Sequence, residues 1–190
     1  MRILILGPQG SGKGTQAKRL AAAHGIAHVS TGDILRQAVA ERTELGLRVA
    51  PILERGDLVS DELMIDLIRE RLEHEGSFVL DGFPRTLAQA EALDSMLAGI
   101  GKPLDVVLLL AVGDDVAVER LHGRAIEEGR LDDSPEVIAN RLRLYHELTE
   151  PVATRYREAG TLAEVDGEQT VDEVEGKIEE ALVGARAGSR

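Results

Sequence analysis

The chain has 190 residues, a length typical of one α/β domain, and its 43% hydrophobic and 29% charged residues indicate a globular protein. The net charge of −12 disfavours a general nucleic-acid or anionic-membrane binder, because both need a basic surface. No cysteine is present, which excludes disulfides and thiolate metal sites and favours a reducing, cytoplasmic compartment. The apolar run at the N-terminus is too short for a signal peptide.

Apolar runs and helical periodicity alternate along the chain. Strands are predicted at 2–6, 26–30, 77–81, 105–112 and 161–166. Helices are predicted at 13–24, 33–42, 45–55, 61–74, 87–98, 114–122, 135–158 and 171–183. We expect Pro151 to kink or split the long helix, and we interpret residues 123–133 as a polar segment. The alternation predicts an α/β fold with a parallel sheet that is covered on both faces.

Residues 7–16 read GPQGSGKGTQ and lie between a predicted strand and a predicted helix. Glycines in such a loop turn backbone N–H groups toward a polyphosphate at the helix N-terminus. Lys13 adds a positive charge near the β- and γ-phosphates. The usual pattern places Ser or Thr directly after this lysine, but here Gly14 follows and the first hydroxyl is that of Thr15. The loop predicts phosphate binding without defining the reaction.

The motif DGFPRT ends a predicted strand in Asp81, where the acidic residue of a Walker-B-type site holds Mg²⁺ or its waters. Pro84 stiffens the turn that presents Arg85. Gln89 lies one turn along the next helix, where its side-chain amide can read the edge of a base.

Further candidates follow two other strands. The motif STGDILR at 30–36 places Thr31 and Arg36 beside a turn, although a helix cap with a surface arginine would look the same. Four arginines surround the polar segment at 123–133, namely Arg120, Arg124, Arg130 and Arg141. In an acidic protein such a cluster predicts a phosphate clamp, since guanidinium groups bind phosphates through paired hydrogen bonds.

Together these motifs resemble those of the adenylate kinases, within the nucleoside-monophosphate kinases. The resemblance runs from the loop at 7–15 to VDG at 165–167 and includes, in family order, STGDILR, GDLVSDEL, DGFPRT with Gln89, VERLHGR and GRLDD. It implies a P-loop three-layer sandwich with a five-stranded parallel sheet between helices. It also implies a core of residues 1–29, 60–122 and 134–190, a small helical AMP-binding domain at 30–59 and a short lid at 123–133.

The resemblance implies roles for individual residues. The ATP site would comprise Gly10, Ser11, Gly12, Lys13, Gly14, Thr15, Arg120, Arg124 and Gln169. Arg120 would pack on the adenine, and Gln169 would read it through its carbonyl. The AMP site would comprise Thr31, Arg36, Asp57, Leu58, Val59, Gly82, Phe83, Pro84, Arg85, Gln89, Arg130 and Arg141. The catalytic residues implied are Lys13, Arg85, Arg124, Arg130 and Arg141.

The implied activity is reversible, Mg²⁺-dependent transfer of the terminal phosphoryl group of ATP to AMP, which gives two ADP. Asp81 and Asp132 resemble the acids that position Mg²⁺ through water, so direct coordination by Thr15 is not expected. The segment AIEEG between Arg124 and Arg130 resembles the short-lid type, for which no zinc is expected without cysteine. The expected partners are ATP, AMP and ADP, with no nucleic acid or membrane, and the expected state is a monomer.

Three alternatives remain open at this point. A UMP/CMP kinase has the same fold, but Thr31 and Gln89 favour AMP, because that group usually carries Ala and Asn there. A kinase that uses another donor, such as GTP, differs mainly in backbone contacts that the sequence does not reveal. A non-enzymatic P-loop module would be expected to lack Asp81 or part of the arginine set.

Overall fold

The structure is a computed structural model that describes residues 1–128 and 134–188. Its centre is a five-stranded sheet with the order β2-β3-β1-β4-β5, in which every neighbouring pair is parallel. The strands are β1 (Arg2–Leu6), β2 (Ala27–Ser30), β3 (Phe78–Asp81), β4 (Val106–Ala111) and β5 (Leu162–Asp166). The predicted five-stranded parallel α/β fold is therefore confirmed.

Helices connect and cover these strands. They are α1 (Lys13–His24), α2 (Thr31–Ala40), α3 (Glu44–Glu54), α4 (Asp61–Glu73), α5 (Leu87–Gly99), α6 (Asp114–Glu128), α7 (Pro135–Leu144), α8 (Glu150–Glu158) and α9 (Val171–Gly188). A π-helical turn, Tyr145–Thr149, joins α7 to α8.

The side chains of β1 alternate between two hydrophobic cores, as the pleat of a strand requires. Ile3 and Ile5 pack in a cluster with residues of α1 and α9. Leu4 and Leu6 pack in a second cluster with residues of α4, α5 and α8. Both faces of the sheet are covered, as predicted.

Apart from the long helix at 135–158, three helices differ from their predicted bounds by more than one residue: α2, α6 and α9, the last of which continues to Gly188. Helix α2 begins two residues early because the Ser30 hydroxyl caps it, accepting a hydrogen bond from the Asp33 N–H at 3.3 Å. Helix α6 continues to Glu128, so the helix end predicted at residue 122 is wrong. Gly123 does not end α6, because the residues after it are good helix formers.

The long helix is interrupted as predicted, but the interruption is a π-helical turn at Tyr145–Thr149, just before Pro151. The Glu150 N–H donates to the Tyr145 carbonyl, five residues back, which ends the π turn. Pro151 then lies in the first turn of α8. A proline is tolerated there because the N–H groups of a first turn have no acceptor within the helix.

Helices α2 and α3 approach each other closely at Gly46. A Cβ atom at this position would overlap the carbonyl oxygen of Ala38. We expect Gly46→Ala to separate the helices and to lower the melting temperature by about 5 °C, because overpacking strains both backbones. Thermal melts followed by circular dichroism measure the shift.

Gly176 in α9 provides the matched control for this substitution. It is exposed, and a Cβ atom there would meet nothing within 4 Å. Gly176→Ala is expected to melt at or slightly above the wild-type temperature, since alanine favours a helix. A Gly46→Ala protein that melts like the wild type would contradict the steric explanation.

Candidate active site

A cleft of about 740 Å³ opens at the carboxyl ends of the strands, where α/β sheets bind ligands. It brings together most of the site residues predicted from the sequence. Those that line it are Gly10, Ser11, Gly12, Lys13, Gly14, Thr15, Thr31, Arg36, Asp57, Leu58, Val59, Asp81, Gly82, Arg85, Gln89, Arg120, Arg124, Arg141 and Gln169.

Four predicted site residues are not among the lining residues. Phe83 and Pro84 are joined by a cis peptide bond and lie buried behind the cleft, where Phe83 packs in the core between the sheet and α4 and α5. Arg130 and Asp132 lie outside the described residues, so their roles stay predictions.

The loop between β1 and α1 presents the start of α1 to the cleft. Gly10 has φ +84°, and a Cβ atom there would lie 2.5 Å from the Ala117 carbonyl oxygen, so only glycine fits. Gly12 is the N-cap of α1 and offers no side chain to its first N–H groups. These donors and the helix dipole together favour an anion at this point.

Lys13 is the cation of this loop. Its Nζ donates to the Pro8 carbonyl oxygen at 2.9 Å. Burial lowers the pKa of Lys13 to about 8; Asp81 opposes the shift, and the positive charges of Arg85, Arg124 and Arg141 add to it. Several cations therefore converge on one place, as the binding of a polyanion requires.

Asp81 ends β3 and aligns with Ile5 of β1 and Ser30 of β2. It is 8% exposed, and its Oδ1 is buried without a hydrogen-bond partner in the part of the chain that the structure describes. Its Oδ2 would lie 3.4 Å from a Cβ atom built on Gly14, beside the phosphate-binding loop. A carboxylate oxygen in this position fits a hydrated Mg²⁺, which keeps several waters and few protein ligands.

Arg85 lies on the opposite wall and is held by its own turn. Its Nε donates to the Gly82 carbonyl at 2.9 Å, and its carbonyl accepts from the Thr149 hydroxyl at 3.0 Å. Burial lowers the pKa of the Arg85 guanidinium; Asp81 opposes the shift, and Arg141 and Arg36 add to it. The guanidinium stays charged at neutral pH, because arginine does not deprotonate in proteins.

Gln89 is 2% exposed and lies at the floor of the cleft. Its Oε1 accepts a hydrogen bond from the Arg85 N–H at 2.8 Å, and its Nε2 donates to Asp61 Oδ1 at 2.7 Å. The amide thus uses one lone pair and one hydrogen within the protein. Its second lone pair and second hydrogen remain for a ligand.

The wall formed by α2 carries two of the predicted AMP contacts. Thr31 is buried and donates to the Asp81 carbonyl at 3.4 Å, which joins the ends of β2 and β3. Arg36 forms an ion pair with Asp33 at 2.5 Å. Five N–H donors belong to a guanidinium, so Arg36 can bind a phosphate while it still contacts Asp33.

Helix α7 contacts the turn that precedes Leu58 and Val59. Asn140 Nδ2 donates to the Arg55 carbonyl and to Asp57 Oδ1, each at 3.0 Å. Hydrogen bonds lower the pKa of the Asp57 carboxyl. The bond from Arg55 has the larger effect, and the bond from Asn140 the next largest. This turn therefore has a defined position against α7, the helix that carries Arg141.

At the other end of the cleft, Arg120 Nη1 donates to the Gly167 carbonyl at 2.7 Å. Gln169 Nε2 donates to Asp166 Oδ2 at 3.0 Å, at the end of β5. The contact between α6 and the loop after β5 places the two predicted adenine contacts on the same side as the phosphate-binding loop.

Sequence reasoning missed two residues that support the site. Gln16 is buried in α1, and its Nε2 donates to the Val171 carbonyl at 2.8 Å, which ties α1 to the start of α9. Asp61 holds Gln89 from a position 28 residues earlier. A polar residue on the buried face of α1 is a signal that could have revealed Gln16, whereas Asp61 looks like an ordinary first-turn acid.

Within 1–128 and 134–188, no three His, Cys, Asp or Glu side chains are grouped so as to hold a metal ion. In the same ranges no helix has both the length and the hydropathy of a bilayer-spanning segment.

A glycine-rich loop before a helix, an acid at the end of the neighbouring strand and a cleft lined by arginines define a P-loop nucleotide kinase. The family model described as adenylate kinase matches residues 5–161. The chain belongs to the adenylate kinase family.

Curated relatives are similar in sequence to this chain over almost their entire length. The adenylate kinase of Stenotrophomonas maltophilia strain R551-3 is 48% identical over 187 residues, which cover 97% of this chain and 100% of the relative. That of Phenylobacterium zucineum strain HLK1 is 50% identical, with 98% and 100% covered. That of Caulobacter vibrioides strain NA1000 is 49% identical, with 99% and 100% covered.

Proposed function

We propose that this cleft catalyses the reversible, Mg²⁺-dependent transfer of the terminal phosphoryl group of ATP to AMP, giving two ADP. This is the reaction of the family to which the chain belongs. This assignment rests on one observation: the side chains of four cationic residues converge in the cleft, namely Lys13, Arg85, Arg124 and Arg141. Burial and their mutual repulsion lower the Lys13 pKa, a cost that bound polyphosphates would relieve.

The donor binds at the loop after β1 in this proposal. The ATP phosphates lie against the N–H groups at the start of α1, and Lys13 Nζ exchanges the Pro8 carbonyl for a phosphate oxygen. Arg120 packs on the adenine, the Gln169 carbonyl reads it, and Arg124 contacts the phosphates. These groups all line the same cleft, which supports this placement.

The acceptor binds on the side formed by α2 and the turn after β3. Arg36 and Arg85 bind the AMP phosphate, with Arg141 completing the set; Arg130 is assigned the same role from the sequence alone. The base lies near Thr31, the backbone of residues 57–59 and the Gln89 amide. The predicted AMP-binding domain at 30–59 and the lid at 123–133 belong to the same proposal.

Phosphoryl transfer between these sites needs no general base. The second pKa of a phosphate monoester is about 6, so the AMP phosphate is already an ionised nucleophile at pH 7. The task of the protein is to bring two polyanions together and to hold them in line. Lys13 and the arginines do this because their charges are fixed before the substrates arrive.

Mg²⁺ neutralises charge on the donor phosphates when it is bound. Asp81 fits the role of holding its water ligands, because its Oδ1 is buried without a hydrogen-bond partner among the described residues. Asp132 is assigned the same role from the sequence. The loop residue after Lys13 is Gly14, which has no hydroxyl, so most of the metal's ligands would be nucleotide oxygens and water.

A coupled assay for ADP tests the proposed function. ATP with Mg²⁺ is offered together with AMP, CMP, UMP or GMP, and GTP then replaces ATP. We expect AMP to exceed every other acceptor by at least about 10²-fold in kcat/KM, because buried polar groups reject bases that leave them unpaired. Faster transfer to UMP or CMP would reassign the acceptor, and no transfer to any acceptor would contradict the proposed reaction.

A cytoplasmic location and a monomeric state complete the proposal. The absence of cysteine suits a reducing compartment. Size-exclusion chromatography with light scattering tests the second point, since a mass near 20.5 kDa is expected for one chain.

A further inference from the structure

We propose that Asp61 fixes the orientation of the Gln89 amide and thereby sets the preference of the enzyme for a 6-aminopurine over a 6-oxopurine acceptor. Asp61 is the first residue of α4 and is not among the residues that line the cleft. It is therefore a positioning residue, which acts on the substrate through Gln89. The inference rests on the proposed function, in which Gln89 reads the base of the acceptor.

Two hydrogen bonds link Asp61 to α5. Asp61 Oδ1 accepts from Gln89 Nε2 at 2.7 Å, and both carboxylate oxygens lie 3.1 Å from the Thr86 hydroxyl. That hydroxyl is also the N-cap of α5, and it accepts from the Gln89 N–H at 3.2 Å. Asp61 therefore holds the Gln89 side chain directly, and it holds the Gln89 main chain indirectly, through the Thr86 hydroxyl.

These contacts allow only one orientation of the amide. An ionised carboxylate can only accept hydrogen bonds, so the end of Gln89 that faces Asp61 must be the nitrogen. The Arg85 N–H can only donate, so the other end must be the oxygen. A flipped amide would lose both bonds and would place its oxygen against a negative charge, in a buried position where unpaired polar groups are costly.

A fixed amide distinguishes the two kinds of purine by their hydrogen-bonding pattern. A 6-aminopurine presents an exocyclic N–H donor beside the ring acceptor N1, whereas a 6-oxopurine presents an acceptor beside an N1–H donor. The remaining lone pair and hydrogen of Gln89 can match one pattern but not its reverse. If the amide could flip, it would accommodate both bases, and the preference would weaken.

Asp61→Asn removes the constraint that Asp61 imposes, with little change in volume, while the Arg85 N–H still favours the observed orientation. An asparagine at this position can offer either its oxygen or its NH₂ group to Gln89, so either amide orientation finds a partner there. We expect the ratio of AMP to IMP affinity to fall about ten-fold, the scale of one charge-assisted hydrogen bond. The KM for AMP should rise, while the KM for ATP and the affinity for ATP should stay within about two-fold, because the side-chain hydrogen bonds of Asp61 among the described residues go to Thr86 and Gln89.

Glu62→Gln is the matched control. Glu62 lies in the same first turn of α4 and is exposed, and it forms no hydrogen bond with the described Thr86 or Gln89. The substitution removes the same charge from the same helix terminus, so it reproduces any effect of the helix dipole. It is expected to leave the AMP-to-IMP ratio unchanged.

Calorimetric titration of AMP and IMP into the nucleotide-free proteins, alongside steady-state kinetics, separates this proposal from the proposed function. Wild-type protein that binds AMP more tightly than IMP but transfers no phosphoryl group would refute the reaction and leave the Asp61 test intact. An unchanged AMP-to-IMP ratio in Asp61→Asn, or an equal rise in the KM values for AMP and ATP, would overturn the role of Asp61. Wild-type protein that binds both nucleotides equally would also overturn it.

Asp61→Ser provides a second variant if Asp61→Asn does not fold. Serine suits the start of a helix, and its hydroxyl can either donate or accept, so residue 61 no longer requires the nitrogen of Gln89 at this end. The same loss of AMP preference is expected. An Asp61→Ser protein that keeps the wild-type ratio would overturn the proposal in the same way.

Discussion

Arg85→Ala is expected to lower kcat by about 10³-fold, the scale typical of arginines that stabilise a transferring phosphoryl group. Arg85 faces Asp81 and lies near Arg36 and Arg141, so its charge is placed where the donor and acceptor phosphates would meet. In the transition state the negative charge is spread over the equatorial oxygens of the transferred group, with the attacking and leaving oxygens in line, and a fixed guanidinium stabilises this arrangement. The loss should therefore affect kcat more than the KM for AMP.

The fold should survive this substitution. The Arg85 side chain gives up one hydrogen bond, to the Gly82 carbonyl, while its own carbonyl still accepts from Thr149. Removal of one cation from a partly buried group of cations offsets that loss. Circular dichroism melts and steady-state kinetics measure the two effects separately.

Arg69→Ala is the control for Arg85→Ala. Arg69 is exposed on α4 and pairs with Asp66 at 2.6 Å, so its substitution removes an arginine without changing the cleft. Exposed ion pairs contribute little to stability, and activity within about two-fold of the wild type is expected. Normal phosphotransfer by Arg85→Ala would remove Arg85 from the catalytic role.

The sheet and the phosphate-binding loop were predictable because their signals are local. The central strands β1, β3 and β4 contain short apolar runs, and strands that alternate with amphipathic helices allow few arrangements other than a covered parallel sheet. The loop is equally local, since Gly10 and Gly12 lie beside Lys13 in the sequence. The positive φ values and the close contact at Ala117 then explain in physical terms why glycine stands there.

The support of the site was less predictable because it depends on distant pairs. No motif in the sequence around Asp61 links it to Gln89, which lies on another helix. The sequence around Gly46 likewise does not indicate that Ala38 packs against it. The end of α6 is hard to predict for a different reason. Gly123 suggests the start of a loop, although the helix formers that follow it carry α6 to Glu128.

Lys13→Met is expected to lower kcat/KM for ATP by about 10³-fold or more, because it removes the fixed charge nearest the start of α1. The Pro8 carbonyl, which accepts from Lys13, also accepts from the Ser11 N–H at 3.1 Å. It therefore keeps a partner in the variant. Methionine has a similar length and flexibility, so the apolar part of the side chain can still pack.

The same substitution should raise the stability of the nucleotide-free protein at pH 7. Burial lowers the Lys13 pKa from 10.5 to about 8, so the folded state disfavours a charge that the unfolded chain carries freely. Between pH 8 and 10.5 the unfolded chain binds more protons than the folded one, and this group makes stability increase with pH. Lys13→Met lacks that contribution, and its advantage should shrink over this interval.

Thermal melts at pH 7 and pH 10, with and without ATP, test both parts of the Lys13 prediction. The variant should melt above the wild type at pH 7 without ATP, and the difference should be smaller at pH 10. Added ATP should stabilise the wild type but not Lys13→Met, because only a bound ligand shifts the folding equilibrium. A variant that melts below the wild type at pH 7, or that keeps normal ATP turnover, would show that Lys13 is a structural residue and not a strained, functional cation.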